Sequence, residues 1–236
     1  SKKETHPEPH TSNHASRINW LRAGVLGAND GIISISGLVI GVAGATQHTG
    51  IILTAGIAGI LAGGISMAAG EYVSVSSQRD SEHALLEKER LELINFPKEE
   101  EQELVMLYER KGLSRKTATL VAKELTEKDA YAAHIDIELG IDPDNLTNAR
   151  HAAVASAVSF FLGAIIPLIA IILPPASIRI PTAFLSVVVA LVITGYISAK
   201  IGKAQPLRAI IRVVAGGALA MVVTYFIGSL FHVQGI

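Results

Sequence analysis

Residues 51–75 read IILTAGIAGILAGGISMAAGEYVSV. A single carboxylate, Glu71, interrupts this uncharged apolar stretch, which is long enough as a helix to cross a hydrocarbon core of roughly 30 Å at about 1.5 Å per residue. Ala23–Ala45 repeats the pattern with Asp30 as its lone charge, in Leu26-Gly-Ala-Asn-Asp-Gly-Ile32, while Ala152–Leu173, Ile180–Ala199 and Val213–Phe231 hold no charge at all. Half of the 236 residues are hydrophobic, 17% are charged and the mean hydropathy is +0.42. A soluble helical bundle would need a hydrophilic face on each helix, and these segments have none. The sequence therefore predicts an all-α membrane protein with five transmembrane helices. The first stretch is no cleaved signal peptide: it is too long, follows a polar leader, and has an Asp inside its apolar run.

Short cytoplasmic loops retain Lys and Arg. Lys2, Lys3, Arg17 and Arg22 precede the first span, and Lys200, Lys203, Arg208 and Arg212 lie between spans four and five. The opposite side is nearly bare, with Arg179 alone before the fourth span, and its expected role is to anchor a helix end at lipid headgroups. The N-terminus is thus expected in the cytosol and the C-terminus outside it. The boundaries expected are a disordered tail over 1–20, helices one and two over 21–77, a cytosolic acidic helical domain over 78–148, and helices three to five over 149–236. The tail's His6, His10 and His14 recur every four residues, but Pro7 and Pro9 argue against a helix there. His48 and His232 fall near the non-cytosolic ends of spans.

The polar insert holds 17 Asp and Glu against 10 Lys and Arg. Three helices are predicted in it: Ser81–Asn95, ending before Pro97; Lys98–Lys111, ending at Gly112; and Ser114–Leu139, opened by a Ser cap and ended by Gly140. Glu89 and Glu92 are three apart, as are Glu100 and Glu103, so each pair shares a helix face, and a hairpin around Pro97 would bring the pairs together. Oxygen-rich clusters suit hard or borderline divalent cations, and the chain has no cysteine for a thiolate site. Runs such as Glu99-Glu-Glu101 also occur as plain solvated faces.

A carboxylate at bilayer depth is costly and usually faces a bundle interior or a wet pathway. Met67 lies one turn before Glu71, which places a thioether beside that carboxylate. Ala55, Gly59, Gly63, Met67 and Glu71 recur every four residues, and Gly27, Gly31, Gly37 and Gly41 give the first span a similar series. Such stripes serve either the approach of two protein copies or packing within one. Pro167 is a candidate kink in the third span.

The chain resembles the vacuolar iron transporter family. The likeness rests on Leu21-Arg-Ala-Gly-Val-Leu-Gly-Ala-Asn-Asp-Gly31, on the run from Ala62 through Ser66, Met67 and Glu71 to Ser76, Gln78 and Asp80, and on Glu138-Leu-Gly140, taken in this order with five spans and an acidic insert after the second. The resemblance implies a homodimer in the lipid bilayer that exchanges cytosolic ferrous iron for protons, with an ion path between subunits. It assigns Asp30, Met67 and Glu71 to that path, and Glu89, Glu92, Glu100, Glu103 and Glu138 to metal binding in the cytosolic helices. The chain departs from the plant members of the family at one place. Where they have two methionines shortly before the last Glu, it reads His134-Ile135. His134 and Glu138 are four apart, a spacing that lets an imidazole and a carboxylate share a cation, or that leaves His134 capping a solvated helix end.

No phosphate loop, nucleophile motif or Glu-x-x-His pair appears, so neither ATP coupling nor ferroxidase chemistry is expected, and the chain is not expected to be an enzyme. The expected cargo is Fe2+, with Mn2+, Zn2+ and Co2+ as alternatives; no cofactor and no nucleic-acid partner is expected. A manganese or broad divalent exporter of the same fold, and a membrane-anchored metal buffer or sensor without transport, are the other readings. The short tail suggests a prokaryotic member, hence an inner membrane; a eukaryotic source would place it in a vacuolar membrane.

Overall fold

The computed structural model describes residues 13–143 and 146–231, with side chains described from residue 23 onward. His6, His10, His232, Lys2 and Lys3 lie outside the described residues, as do the side chains of His14, Arg17 and Arg22. The described chain is helical, in the order α1 (Asn13–Ala45), α2 (Thr49–Asn95), α3 (Pro97–Arg110), α4 (Arg115–His134), a π-helical turn (Ile135–Leu139), α5 (Ala149–Ile172), α6 (Arg179–Ile201) and α7 (Pro206–Leu230). Five of these are long and apolar enough to cross a membrane: α1 over Ala23–Ala45, α2, α5, α6 and α7. The helix predicted to begin at Ser81 is instead the continuation of α2, because nothing between Val75 and Ser81 breaks a helix.

The chain divides into two units, residues 1–74 with 148–236, and residues 75–147. In the first unit α1 is the central element. Its Ile32, Ile35, Val39 and Ile40 are buried with Phe160, Ala164 and Ile171 of α5, Val187 and Leu191 of α6, and Met221 of α7. Lipid is as apolar as these side chains, so what favours helix association is close packing. A Cβ on Gly27 or Gly31 would collide with the α5 backbone at Ser156 or Phe160, one on Gly163 with that of Ala28, and one on Gly228 with that of Gly41. The glycines of α1 therefore serve packing inside one chain. On α2, Gly59 and Gly63 receive the ends of Leu38 and Phe160, so that stripe too is filled from within the protomer. Helix α5 runs through the buried Pro167 without a break.

In the second unit Pro97 opens α3, where its missing N–H costs nothing, and Glu99 and Glu100 complement the helix dipole. Ser114 caps α4 by accepting from the Thr117 N–H at 3.3 Å. Leu104 and Val105 pack on Ala118 and Ala122 to form a small core. The predicted single helix Ser114–Leu139 is not what forms. Asp129 sits in an extended conformation, φ −167° and ψ 94°, and its Oδ1 accepts the Ala132 N–H at 3.0 Å. It caps a fresh start in mid-helix, as short polar side chains do at N-termini. The chain then widens into the π turn and stops at Gly140, whose φ of +60° is the left-handed conformation glycine adopts without penalty.

Candidate metal centre

The second unit brings together three side chains from three segments. Glu89 stands near the end of α2, Glu100 in the first turn of α3, and His134 at the last position of α4 before the π turn. All three are buried, at 3%, 7% and 0% exposure. One ligand atom from each lies within 4.8 Å of the others. His134 Nδ1 is 2.9 Å from Glu89 Oε1 and 3.7 Å from Glu100 Oε2, and Glu138 Oε2 approaches it to 3.8 Å from the π turn. Two ligands of an ion held at about 2.1 Å stand about 3.0 Å apart when adjacent and about 4.2 Å apart when opposite. The observed separations from Nδ1 lie close to that window.

Local structure explains the convergence. The α2–α3 junction at Asn95-Phe96-Pro97 breaks the helix, and Glu100 on the far side of it comes within reach of Glu89. The chain restarts at Asp129 ahead of His134, which points inward rather than capping a solvated end, and the π turn that follows carries Glu138 beside it. π turns recur at functional sites because they re-aim side chains in this way. The expected pairs are divided: Glu89 and Glu100 go into the cluster, while Glu92 and Glu103 stay half-exposed around it. Glu92 is held by Lys88 at 3.0 Å.

Electrostatics make the cluster costly as it stands. Burial pushes the Glu89 carboxyl up to about 7, and Glu138, Glu100, Glu92 and Glu103 push in the same direction. Glu100 is raised first by burial and then by Glu103, Glu92 and Glu138, with Lys88 opposing. Burial lowers His134, favouring the neutral ring that ligates metals, although Glu138 and Glu103 pull the other way. Among the described residues, Glu89 Oε1 and both ring nitrogens of His134 meet no well-aligned hydrogen-bond partner, so the 2.9 Å contact is close but misaligned for a hydrogen bond. Buried polar atoms left in this state cost about 1–3 kcal/mol each. A divalent cation among them would satisfy the orphaned atoms and offset the carboxylate repulsion together. One imidazole with several carboxylates suits borderline ions such as iron and zinc, and accommodates manganese.

The membrane carboxylates are arranged differently. Asp30 is half-buried on α1 and accepts from the Ser34 hydroxyl at 2.9 Å. Met67 packs at the edge of the first unit's core, and Glu71, one turn on, is half-buried. Among the described residues, neither Asp30 nor Glu71 belongs to a cluster of three close ligand atoms. Arg179 is not the exposed anchor that the sequence suggests: it is 6% exposed and folded under the α1–α2 loop, where its Nη1 donates to Gln47 O at 3.2 Å and its Nη2 to Thr49 Oγ1 at 2.9 Å.

The model of the VIT family matches residues 21–229. A vacuolar iron transporter of Acanthamoeba castellanii is 43% identical over 212 residues, covering 89% of this chain and 78% of the relative. Vacuolar iron transporter homolog 2 of Arabidopsis thaliana is 33% identical over 230 residues, covering 97% and 93%, and homolog 1 of Oryza sativa is 34% identical over 225 residues, covering 95% and 79%.

Proposed function

The chain belongs to the VIT family, and from that premise we propose that it moves ferrous iron out of the cytosol in exchange for protons, as a homodimer with α2 near the subunit boundary. It is a multi-pass membrane protein; the direction, the coupling and the assembly are the proposal. The observation that carries it is the buried Glu89–Glu100–His134 cluster in a unit that is itself acidic. Such a cluster, facing the cytosol as the Lys and Arg distribution indicates, captures the cation before it enters the membrane. Asp30, Met67 and Glu71 then ligate it in turn. Protons from the far side compete for the same carboxylates and favour release, because metal ligation requires the deprotonated form.

The bare face of α2 supports a dimer: Leu53, Ile57, Leu61 and Ile65 stand at four-residue spacing on it, with Leu61 54% and Ile65 68% exposed. Among the described residues neither Asp30 nor Glu71 belongs to a group of three close carboxylate or imidazole ligand atoms, and in the proposed path further ligands come from the second copy.

A broader cargo range is the second reading, and one residue favours it. The resemblance implies a methionine in the plant members where this chain has His134, which would replace a soft thioether with an imidazole that also suits zinc and cobalt. Proteoliposomes with an acidic lumen, offered Fe2+, Mn2+, Co2+ and Zn2+ separately, test both readings. Uptake that follows the pH gradient, with iron fastest, is expected. Binding without uptake of any of the four identifies a buffer or sensor instead.

A further inference from the structure

The geometry points to a phosphate-binding site, for a phosphomonoester or phosphodiester group, in the cavity headed by Arg179 at one end of the membrane helices. The cavity encloses about 430 Å³ and is lined by Thr46, Gln47, His48, Ala176, Arg179 and Tyr225 among others. A guanidinium is charged at any physiological pH. Arg179 is buried as a residue, at 6% exposure. Among the described residues its two hydrogen-bond partners, Gln47 O and Thr49 Oγ1, are both neutral, and its Nε has none. Residues 43–51, 173–182 and 221–231, which surround it, contain no Asp or Glu. Removing a charge from water costs several kcal/mol unless a counter-charge or a full set of hydrogen bonds compensates, and those segments supply no carboxylate side chain as a counter-charge.

The surroundings favour an anion further. Helices α2 and α6 begin at Thr49 and Arg179, so two positive helix ends lie beside the cavity. Ile178, preceding α6, provides no side-chain cap. The last turn of α1, ending at Ala45, opposes them with its carbonyls, and is one negative end against two positive ends and a full charge. The planar fork of arginine matches two oxygens of a phosphate. The cavity accepts a tetrahedral group with a substituent, and it lies where the spans end, the depth at which a bilayer presents its phosphodiesters. A free phosphate compound and a phospholipid headgroup offer the same chemistry.

The test uses the full chain, delipidated in detergent and phosphate-free buffer. Native mass spectrometry and thermal shift follow titration with short-chain phosphatidylglycerol, with the matching diacylglycerol, and with inorganic phosphate. Phosphatidylglycerol is expected to bind and diacylglycerol not to. Arg179→Gln should weaken binding by about tenfold or more, and Arg179→Lys by less, since it keeps the charge but loses the fork. Binding of inorganic phosphate with the same dependence on Arg179 would identify a soluble phosphate compound as the source; binding of the phospholipid alone would identify the headgroup. Ala176→Trp changes an exposed wall residue, fills the cavity and leaves the arginine in place, so it decides the matter if Arg179→Gln does not fold. The inference is overturned if neither phosphate probe binds, if diacylglycerol binds as well as phosphatidylglycerol, or if a folded Arg179→Gln or Ala176→Trp protein binds as wild type does.

Discussion

Replacing Glu89 by Gln should stabilise the metal-free second unit above neutral pH while it removes metal binding. In the folded protein the Glu89 carboxyl is raised from 4.5 to about 7, by burial first and by neighbouring carboxylates second. A raised pKa means that the folded state holds its proton more tightly than the unfolded chain does. The stability this gives is complete below pH 4.5, declines as pH rises through the interval to about 7, and is gone above it. At about 1.36 kcal/mol per pKa unit, the interval corresponds to on the order of 3 kcal/mol. Glutamine is neutral throughout, so Glu89→Gln should erase the decline. Hydrogen exchange of segment 97–139 in the full-length protein, held in chelator and corrected for intrinsic rates, reads the local opening energy between pH 5 and 8. Wild type should lose protection as pH rises and regain it when Fe2+ or Zn2+ is added; Glu89→Gln should hold its protection across the range and gain none from metal. A variant less protected than wild type at pH 8 without metal, or a wild type indifferent to pH, would refute the idea that buried carboxylate repulsion is stored here for a cation to relieve.

Three further outcomes are expected. His134→Ala should weaken zinc binding by about tenfold and manganese binding by less, because imidazole favours the more borderline ion; calorimetry with both metals checks this, and equal losses would count against His134 as a ligand. Gly228→Ala should lower the thermal midpoint clearly, since its Cβ meets the backbone carbonyl of Gly41, whereas Gly216→Ala, with open space around it, should be near neutral. Leu61→Cys and Ile65→Cys should cross-link two copies in native membranes if the bare face of α2 lies at the subunit boundary, and monomers alone under oxidising conditions would move that boundary elsewhere.

Most of the architecture is legible in the chain because membrane spans are set by length and the absence of charge, both properties of composition. Pro97, Ser114 and Gly140 likewise mark their boundaries by local chemistry that the structure keeps. The break at Asp129 is not legible, because an Asp in an exposed helical run reads the same whether it faces solvent or recaps the helix. The inward-facing His134 follows that break, so spacing alone left it equally able to cap a solvated end. Pair spacing picked out Glu89, Glu92, Glu100 and Glu103 without telling which member of each pair faces inward; that depends on how α3 and α4 pack through Leu104 and Ala118. Arg179 was visible as the one cation of its loop, but its burial depends on Gln47 and Thr49, more than a hundred residues away in sequence.

Iron flux through Asp30→Asn tests the transport claim most directly. Asn keeps the shape of the side chain and its acceptor toward Ser34, but removes the charge and the proton-binding capacity that a coupled pathway requires. Proteoliposomes with an acidic lumen and a metal-quenched dye inside should show Fe2+ entry for wild type. The folded variant should bind metal at Glu89, Glu100 and His134 as before and show no entry driven by the pH gradient. Entry at the wild-type rate in Asp30→Asn would contradict a pathway through Asp30 and leave that residue a packing element of α1.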